Sequence, residues 1–188
     1  MINYRHLLDD LGAVKKGHFE LTSGLHSEYY IEKFRLLEKP EISTLFCKDI
    51  ADHFNYENID TVTGPTTGGI IIAYDVANYI KKRAIYAEKV DGKRVFRRDF
   101  KITKGERILV VDDILTTGGS IVETAQAAEK KGGIIVGLAV FINRNSKSIR
   151  LPYPLYSVYS LNIEKYSKEN CPLCRRNIPL TIPGSKNL

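Results

Sequence analysis

Hydrophobic positions along this chain follow two alternating rhythms. Residues 108–111, Ile-Leu-Val-Val, are an uninterrupted apolar run, the pattern of a strand buried on both faces. Residues 61–64, 84–88, 134–142 and 156–161 read as further strands, the 134–142 segment being rich in β-branched residues. Between them the spacing lengthens to that of a helix. Ile42, Leu45, Phe46, Ile50 and Phe54 recur along one face of residues 40–56, with Pro40 near the start. Ile70, Tyr74, Ala77 and Ile80 mark a second helix, and Ile121, Val122, Ala125 and Ala128 a third that Gly132 and Gly133 end. Strands alternating with helices predict an α/β fold with a mainly parallel central sheet flanked by helices. Ahead of it, residues 4–12 predict a short amphipathic helix with Leu7, Leu8 and Leu11 on one side, stopped by Gly12. Residues 18–21 and 28–34 then read as a hairpin around a Ser23-Gly24 turn. The hairpin stands before the main fold, on a single domain of residues 1–188.

Polar residues with chemical potential gather where strands give way to helices. The apolar run at 108–111 delivers Asp112 and Asp113, then Ile114 and Leu115, then Thr116, Thr117, Gly118, Gly119 and Ser120 at the mouth of a helix. Glycines beside hydroxyl residues let backbone N–H groups converge on a phosphate, and the helix adds the positive end of its dipole. Two carboxylates at a buried strand's end are costly unless they accept hydrogen bonds, as vicinal sugar hydroxyls would provide. A sugar phosphate suits the whole string, although a helix cap with Asp and Thr satisfying free N–H groups uses the same residue types. Residues 64–69, Gly-Pro-Thr-Thr-Gly-Gly, make a second strand–glycine loop–helix unit. Arg144 closes the 134–142 strand and points toward the crevice where open α/β sheets bind ligands.

Composition narrows the picture. At 188 residues, 43% hydrophobic and 27% charged, the chain suits one globular domain with a substantial core. No apolar run approaches the roughly 18 residues of a membrane span, and the N-terminus carries acids where a signal peptide would be apolar. A cytoplasmic protein with no membrane partner is expected. The net charge of +6 is scattered except around residues 81–107, so no nucleic-acid partner is expected and a polyanionic small substrate accounts for the local excess. Residues 89–104, KVDGKRVFRRDFKITK, are too polar for core and predict a hairpin turning at Asp91-Gly92. Cys47 reads as core, and Cys171 with Cys174 as half of a zinc site. Four thiolates would need a dimer, or histidines in their place; a knuckle of reduced thiols is the simpler expectation.

Two of these strings resemble a known family. VVDDILTTGGS resembles the phosphoribosyl-diphosphate (PRPP) signature of type I phosphoribosyltransferases. Gly17, Phe19, Leu21, Ser23, Gly24, Ser27, Tyr29 and Tyr30 resemble the hood pattern of orotate phosphoribosyltransferases, and the resemblance, which extends over residues 17–185, implies a small hood formed by about residues 1–35 and part of the C-terminal tail. It implies transfer of phosphoribose from PRPP to orotate, giving orotidine 5′-monophosphate and diphosphate in de novo pyrimidine synthesis. The implied roles place Asp112 and Asp113 on the ribose hydroxyls, Ile114 and Leu115 beside them, and Thr116, Thr117, Gly118, Gly119 and Ser120 on the 5′-phosphate. Residues 64–69 would meet the diphosphate through backbone N–H groups, although many members carry lysine at the position of Gly68. Tyr30, Ile31, Thr116 and Arg144 would line the orotate pocket. Lys89 first and Lys93 second are expected at the donor phosphates, and with Asp113 they are the candidates for the chemistry. For Arg97 and Arg98 a solvated hairpin face is as good a reading as catalysis. Mg²⁺ is the implied cofactor, carried on donor oxygens and water with no protein metal cage, and a homodimer sharing the basic loop across its interface is the implied assembly. The alternatives are a purine phosphoribosyltransferase and a non-catalytic regulator that senses the donor.

Overall fold

The computed structural model describes residues 2–55, 57–145 and 150–183. Tyr56, where the helical pattern ends, and Gly184 and Ser185, the last residues of the 17–185 resemblance, lie outside the described residues.

A helix α1 (Tyr4–Asp10) leads into a two-stranded antiparallel hairpin, β1 (Val14–Glu20) and β2 (His26–Ile31), and a short α2 (Phe34–Leu37). There follow α3 (Pro40–His53), β3 (Thr61–Pro65), α4 (Gly68–Ile80), β4 (Arg83–Val90), β5 (Lys93–Val95), β6 (Arg107–Leu115), α5 (Gly119–Glu129), β7 (Ile134–Asn143) and β8 (Leu155–Ser160). A 3₁₀ turn (Lys168–Asn170) and α6 (Pro172–Arg175) complete the tail. The main sheet runs β5-β4-β3-β6-β7-β8, parallel throughout except for β5. This is the expected α/β architecture with a mainly parallel sheet.

The unbroken apolar run in β6 has the predicted consequence: successive side chains enter opposite layers. Leu109 and Val111 pack with α3 and α4 residues such as Phe46, Ile50, Ile72 and Val76, while Ile108 and Val110 pack with Ile121, Ala125 and Ala128 of α5. Proline at the first turn of α3 costs no hydrogen bond there. The β4–β5 turn falls on Asp91 and Gly92, both at positive φ, as a tight two-residue hairpin demands.

Three expectations shift. The buried face of α4 is Ile72, Ala73, Val76 and Ala77, and Tyr74 is 71% exposed. Three consecutive isoleucines, Ile70 to Ile72, make that helix apolar almost all round at its start, so spacing alone cannot phase it. The hairpin strands start earlier than their apolar residues suggest, because Lys15 and Lys16 pair with Tyr30 and Tyr29 while their own side chains remain exposed. Strand β6 also continues through Asp112 and Asp113 to Leu115, so the carboxylates belong to the strand itself. Among the described residues no helix is long and apolar enough to cross a membrane.

Candidate active site

Topology places the crevice. From the centre of the sheet, β3 is followed through α4 by β4 on one side, whereas β6 is followed through α5 by β7 on the other. Such a reversal opens a gap at the strands' carboxyl ends. Pairing between β3 and β6 stops at Thr63 and Val110, so Asp112 and Asp113 stand where the two strands have parted. A cavity of about 620 Å³ lies there, lined by both glycine loops, the hood and Arg144.

The two loops can sit side by side because their glycines carry no side chain. A Cβ on Gly64 would come within 2.4 Å of the Gly69 carbonyl oxygen and 2.7 Å of that of Val111. The Thr66–Thr67 peptide is cis. Neither N-cap residue, Thr67 for α4 or Gly118 for α5, makes a side-chain capping bond, and the Gly119 amide reaches only Thr117 Oγ1 at a long 3.5 Å. Gly118 takes φ +81° at the start of α5, and Thr116, Thr117, Gly119 and Ser120 are exposed around it. These features make anion seats of both helix starts.

The acidic pair is held from several sides. Asp112 Oδ1 accepts from the Asp113 amide at 2.9 Å, and Asp113 Oδ1 accepts from the Ile114 amide at 2.7 Å. Asp113 is 4% exposed, and Lys33 Nζ forms an ion pair with its Oδ2 at 2.9 Å. Burial first, then the neighbouring Asp113 charge, push the Asp112 carboxyl up to about 7. Gly68 is required beside them, because a Cβ there would fall 2.0 Å from Asp113 Oδ2. The cation that the 64–69 loop lacks at Gly68 thus arrives from Lys33, immediately after the hood hairpin.

At the other end of the cavity, Tyr30 and Arg144 face one another, with Ile31 buried behind. Phe19 supports the Tyr30 ring at a centroid distance of 5.7 Å. Arg144 is 8% exposed and its buried Nε has no hydrogen-bond partner; burial lowers its affinity for a proton. Lys165, from the tail, adds a second cation on the same wall. Two cations beside a phenol ring form a corner suited to a planar anion.

Every residue expected on the PRPP loop and the orotate wall lines this cavity: Tyr30, Ile31, Asp112, Asp113, Ile114, Leu115, Thr116, Thr117, Gly118, Gly119, Ser120 and Arg144. Lys89 and Lys93 do not. Both are exposed outside it, and the basic side chain of that hairpin which enters is Arg94. Successive strand residues point to opposite sides, so Lys93 faces away from Arg94; Lys89, which pairs with Arg94, shares its face but stops short of the cavity. Arg94 donates to Thr66 Oγ1 at 3.0 Å and to Ser120 Oγ at 3.2 Å, bridging the two glycine loops. Arg97 and Arg98 pair with Glu88 on the exposed ribbon. Sequence reasoning missed Lys33, Arg94 and Lys165. For Arg94 the basic run was a signal, but its phase along the strand was not; Lys33 and Lys165 meet the site only through long-range packing.

The fold is that of a type I phosphoribosyltransferase, and the phosphoribosyl transferase domain family matches residues 36–171. The chain is 42% identical over 182 residues to the orotate phosphoribosyltransferase of Caldanaerobacter subterraneus subsp. tengcongensis, covering 97% of this chain and 96% of that protein. The crystal structure of orotate phosphoribosyltransferase from Aeropyrum pernix superposes with a TM-score of 0.70 at 28% identity, over 83% of this chain and 92% of that one. The adenine phosphoribosyltransferase of Thermoanaerobacter pseudethanolicus shares the fold, with a TM-score of 0.62 at 17% identity over 71% of this chain and 88% of that one. The chain belongs to the orotate phosphoribosyltransferase family.

The raised Asp112 carboxyl has a stability consequence. Its folded value, about 7, exceeds its ordinary value of 3.8, so its contribution is fully present below about 3.8 and is lost as pH rises through about 7. Asp112→Asn removes the charged form's cost. The ligand-free variant should melt higher than the parent at pH 8, with the gap narrowing as pH falls through about 7 and closing only near 3.8. Thermal melts across that range check this; a pH-independent gap would contradict it.

Proposed function

We propose that this chain transfers the 5-phosphoribosyl group from PRPP to orotate, releasing diphosphate and forming orotidine 5′-monophosphate for pyrimidine nucleotide synthesis. The observation that carries the reading is one cavity with two unlike ends: an acidic pair between two uncapped helix starts, and a buried, unsatisfied arginine facing Tyr30 from the hood.

In this reading the start of α5, with Thr116 to Ser120, holds the 5′-phosphate, and Asp112 and Asp113 accept from the ribose hydroxyls. The amides at the start of α4 and the Arg94 guanidinium receive the diphosphate. Orotate lies between Tyr30, Ile31 and Thr116, with its carboxylate on Arg144 and Lys165 at hand. The bond between the anomeric carbon and the diphosphate oxygen breaks, the electron pair leaving with diphosphate. A ring nitrogen of orotate bonds to the opposite face of that carbon and gives up its proton. No side chain attacks covalently; the protein contributes alignment and preorganised charge.

The donor set of the cavity fits a hard cation. Asp112 and Asp113 offer carboxylate oxygens, while Lys33 already neutralises Asp113, so a magnesium ion would rest mainly on donor oxygens and water. Bound there, Mg²⁺ would offset charge on the departing diphosphate.

Lys89 and Lys93, exposed and outside their own cavity, suit a role across a dimer interface, reaching the partner's diphosphate. Helix α4 supports the assembly: Ile71, Tyr74 and Tyr79 face outward on it, an exposed apolar surface that a second copy would cover.

Two experiments test the proposal. With Mg²⁺ and PRPP, orotate should be converted while hypoxanthine, adenine and uracil are not; turnover of a purine with none of orotate would replace this reading with a purine transferase. For the shared loop, Lys89→Ala/Lys93→Ala and Asp112→Asn/Asp113→Asn proteins should each be nearly inactive. After mixing and subunit exchange, activity should return to about a quarter of wild type, the share of intact sites in a two-fold dimer. No recovery despite demonstrated exchange would place those lysines in their own subunit's chemistry, and a fully active lysine double variant would place them outside it.

A further inference from the structure

Outside the residues that line the crevice, the hood and the tail enclose a second cluster of reactive side chains. His18 Nε2, His26 Nδ1, Cys171 Sγ and Cys174 Sγ all lie within 4.8 Å of one another. The two ring nitrogens are 2.9 Å apart, Cys174 Sγ is 3.3 Å from His26 Nδ1 and 3.7 Å from His18 Nε2, and Cys171 Sγ is 3.6 Å from His18 Nε2. A tetrahedron with Zn–N near 2.0 Å and Zn–S near 2.3 Å has edges of about 3.3 Å between nitrogens and about 3.5 Å between nitrogen and sulfur. The observed separations scatter around those edges.

Local structure converges on this arrangement. The β1–β2 register slips between Lys16 and Phe19, a bulge of the kind that re-aims a side chain, and His18 lies in it. Cys171 and Cys174 flank the first turn of α6, so residues three apart present both sulfurs on one side. His18 Nδ1 is 2.7 Å from the Ile178 carbonyl oxygen, which can only accept. The proton is therefore on Nδ1 and the Nε2 lone pair faces the cluster, the outer hydrogen bond typical of a metal-ligating histidine. His18, His26 and Cys171 are 3%, 2% and 0% exposed.

We propose that these four residues bind one Zn²⁺ as a closed, structural site that fastens the hood to the tail. Nitrogen and thiolate ligands in a tetrahedron select zinc, and four protein ligands leave no position for a substrate. The ion would join segments separated by about 150 residues, beside the backbone bridges His26–Tyr166 and Phe19–Thr181. It would thereby set Tyr30 and Ile31 of β2 against Lys165, which precedes Tyr166 in the tail. The sequence left histidines open as the missing ligands but did not say which, and favoured reduced thiols; folding brings His18 and His26 to the cysteine pair. The site does not depend on which base the cavity accepts.

The test is the metal content of the full-length chain, purified reduced and without chelator. About one zinc per chain is expected, kept in Cys47→Ala and lost in Cys171→Ser/Cys174→Ser. Cobalt(II) added to zinc-free wild type should give tetrahedral d–d bands together with thiolate-to-cobalt charge transfer, a readout that stands even if the double variant fails to fold. Zinc removal should lower Tm by about 10 °C or more, reversed by adding zinc back. Wild type with less than about a tenth of an equivalent of zinc and no cobalt charge-transfer band would overturn the proposal, as would full zinc retention by the cysteine double variant.

Discussion

Two adjacent carboxylates stand where β3 and β6 separate, one of them almost fully buried, and much of the surrounding structure manages that charge. Isolated ionised groups in such a position are strongly disfavoured. Their own backbone amides, the Lys33 ammonium and the Arg94 guanidinium act on them, and burial still holds Asp112 above the ordinary carboxylate range. Incomplete compensation is what a binding site for hydroxyl donors requires, because ligand hydrogen bonds can then complete it.

The same pair constrains residues distant in sequence. Gly68 has no room for a side chain because Asp113 occupies it, and Gly64 has none because the Gly69 and Val111 carbonyls do. Arg94 then bridges Thr66 and Ser120, coupling the two loops through one planar group. The hood contributes in two ways: Lys33 at its exit reaches the acidic end, while Tyr30 forms the opposite wall with Arg144. The two ends of the cavity are therefore joined through a hairpin, and the hairpin is itself anchored to the tail.

Much of this was legible in the sequence. The run before Asp112 implied a doubly covered strand, the alternation of rhythms implied a parallel sheet, and VVDDILTTGGS with the hood pattern implied both ends of the cavity. What escaped depended on phase or on distance. Three successive isoleucines hid which face of α4 is buried, and alternation along a short ribbon exchanged Lys93 for Arg94 at the cavity. Lys33, Lys165 and the histidines beside Cys171 and Cys174 reach their partners only after the chain has folded, so no local spacing announces them.

The central claim is a division of labour, in which the glycine loops and acidic pair hold the donor while the hood side with Arg144 chooses the acceptor. Steady-state kinetics of Arg144→Met separate the two most directly. The KM for orotate should rise by about 100-fold, the loss of a charged hydrogen-bonded pair, while the KM for PRPP changes less than about threefold. Equal losses for both substrates, or an unchanged KM for orotate, would contradict the account.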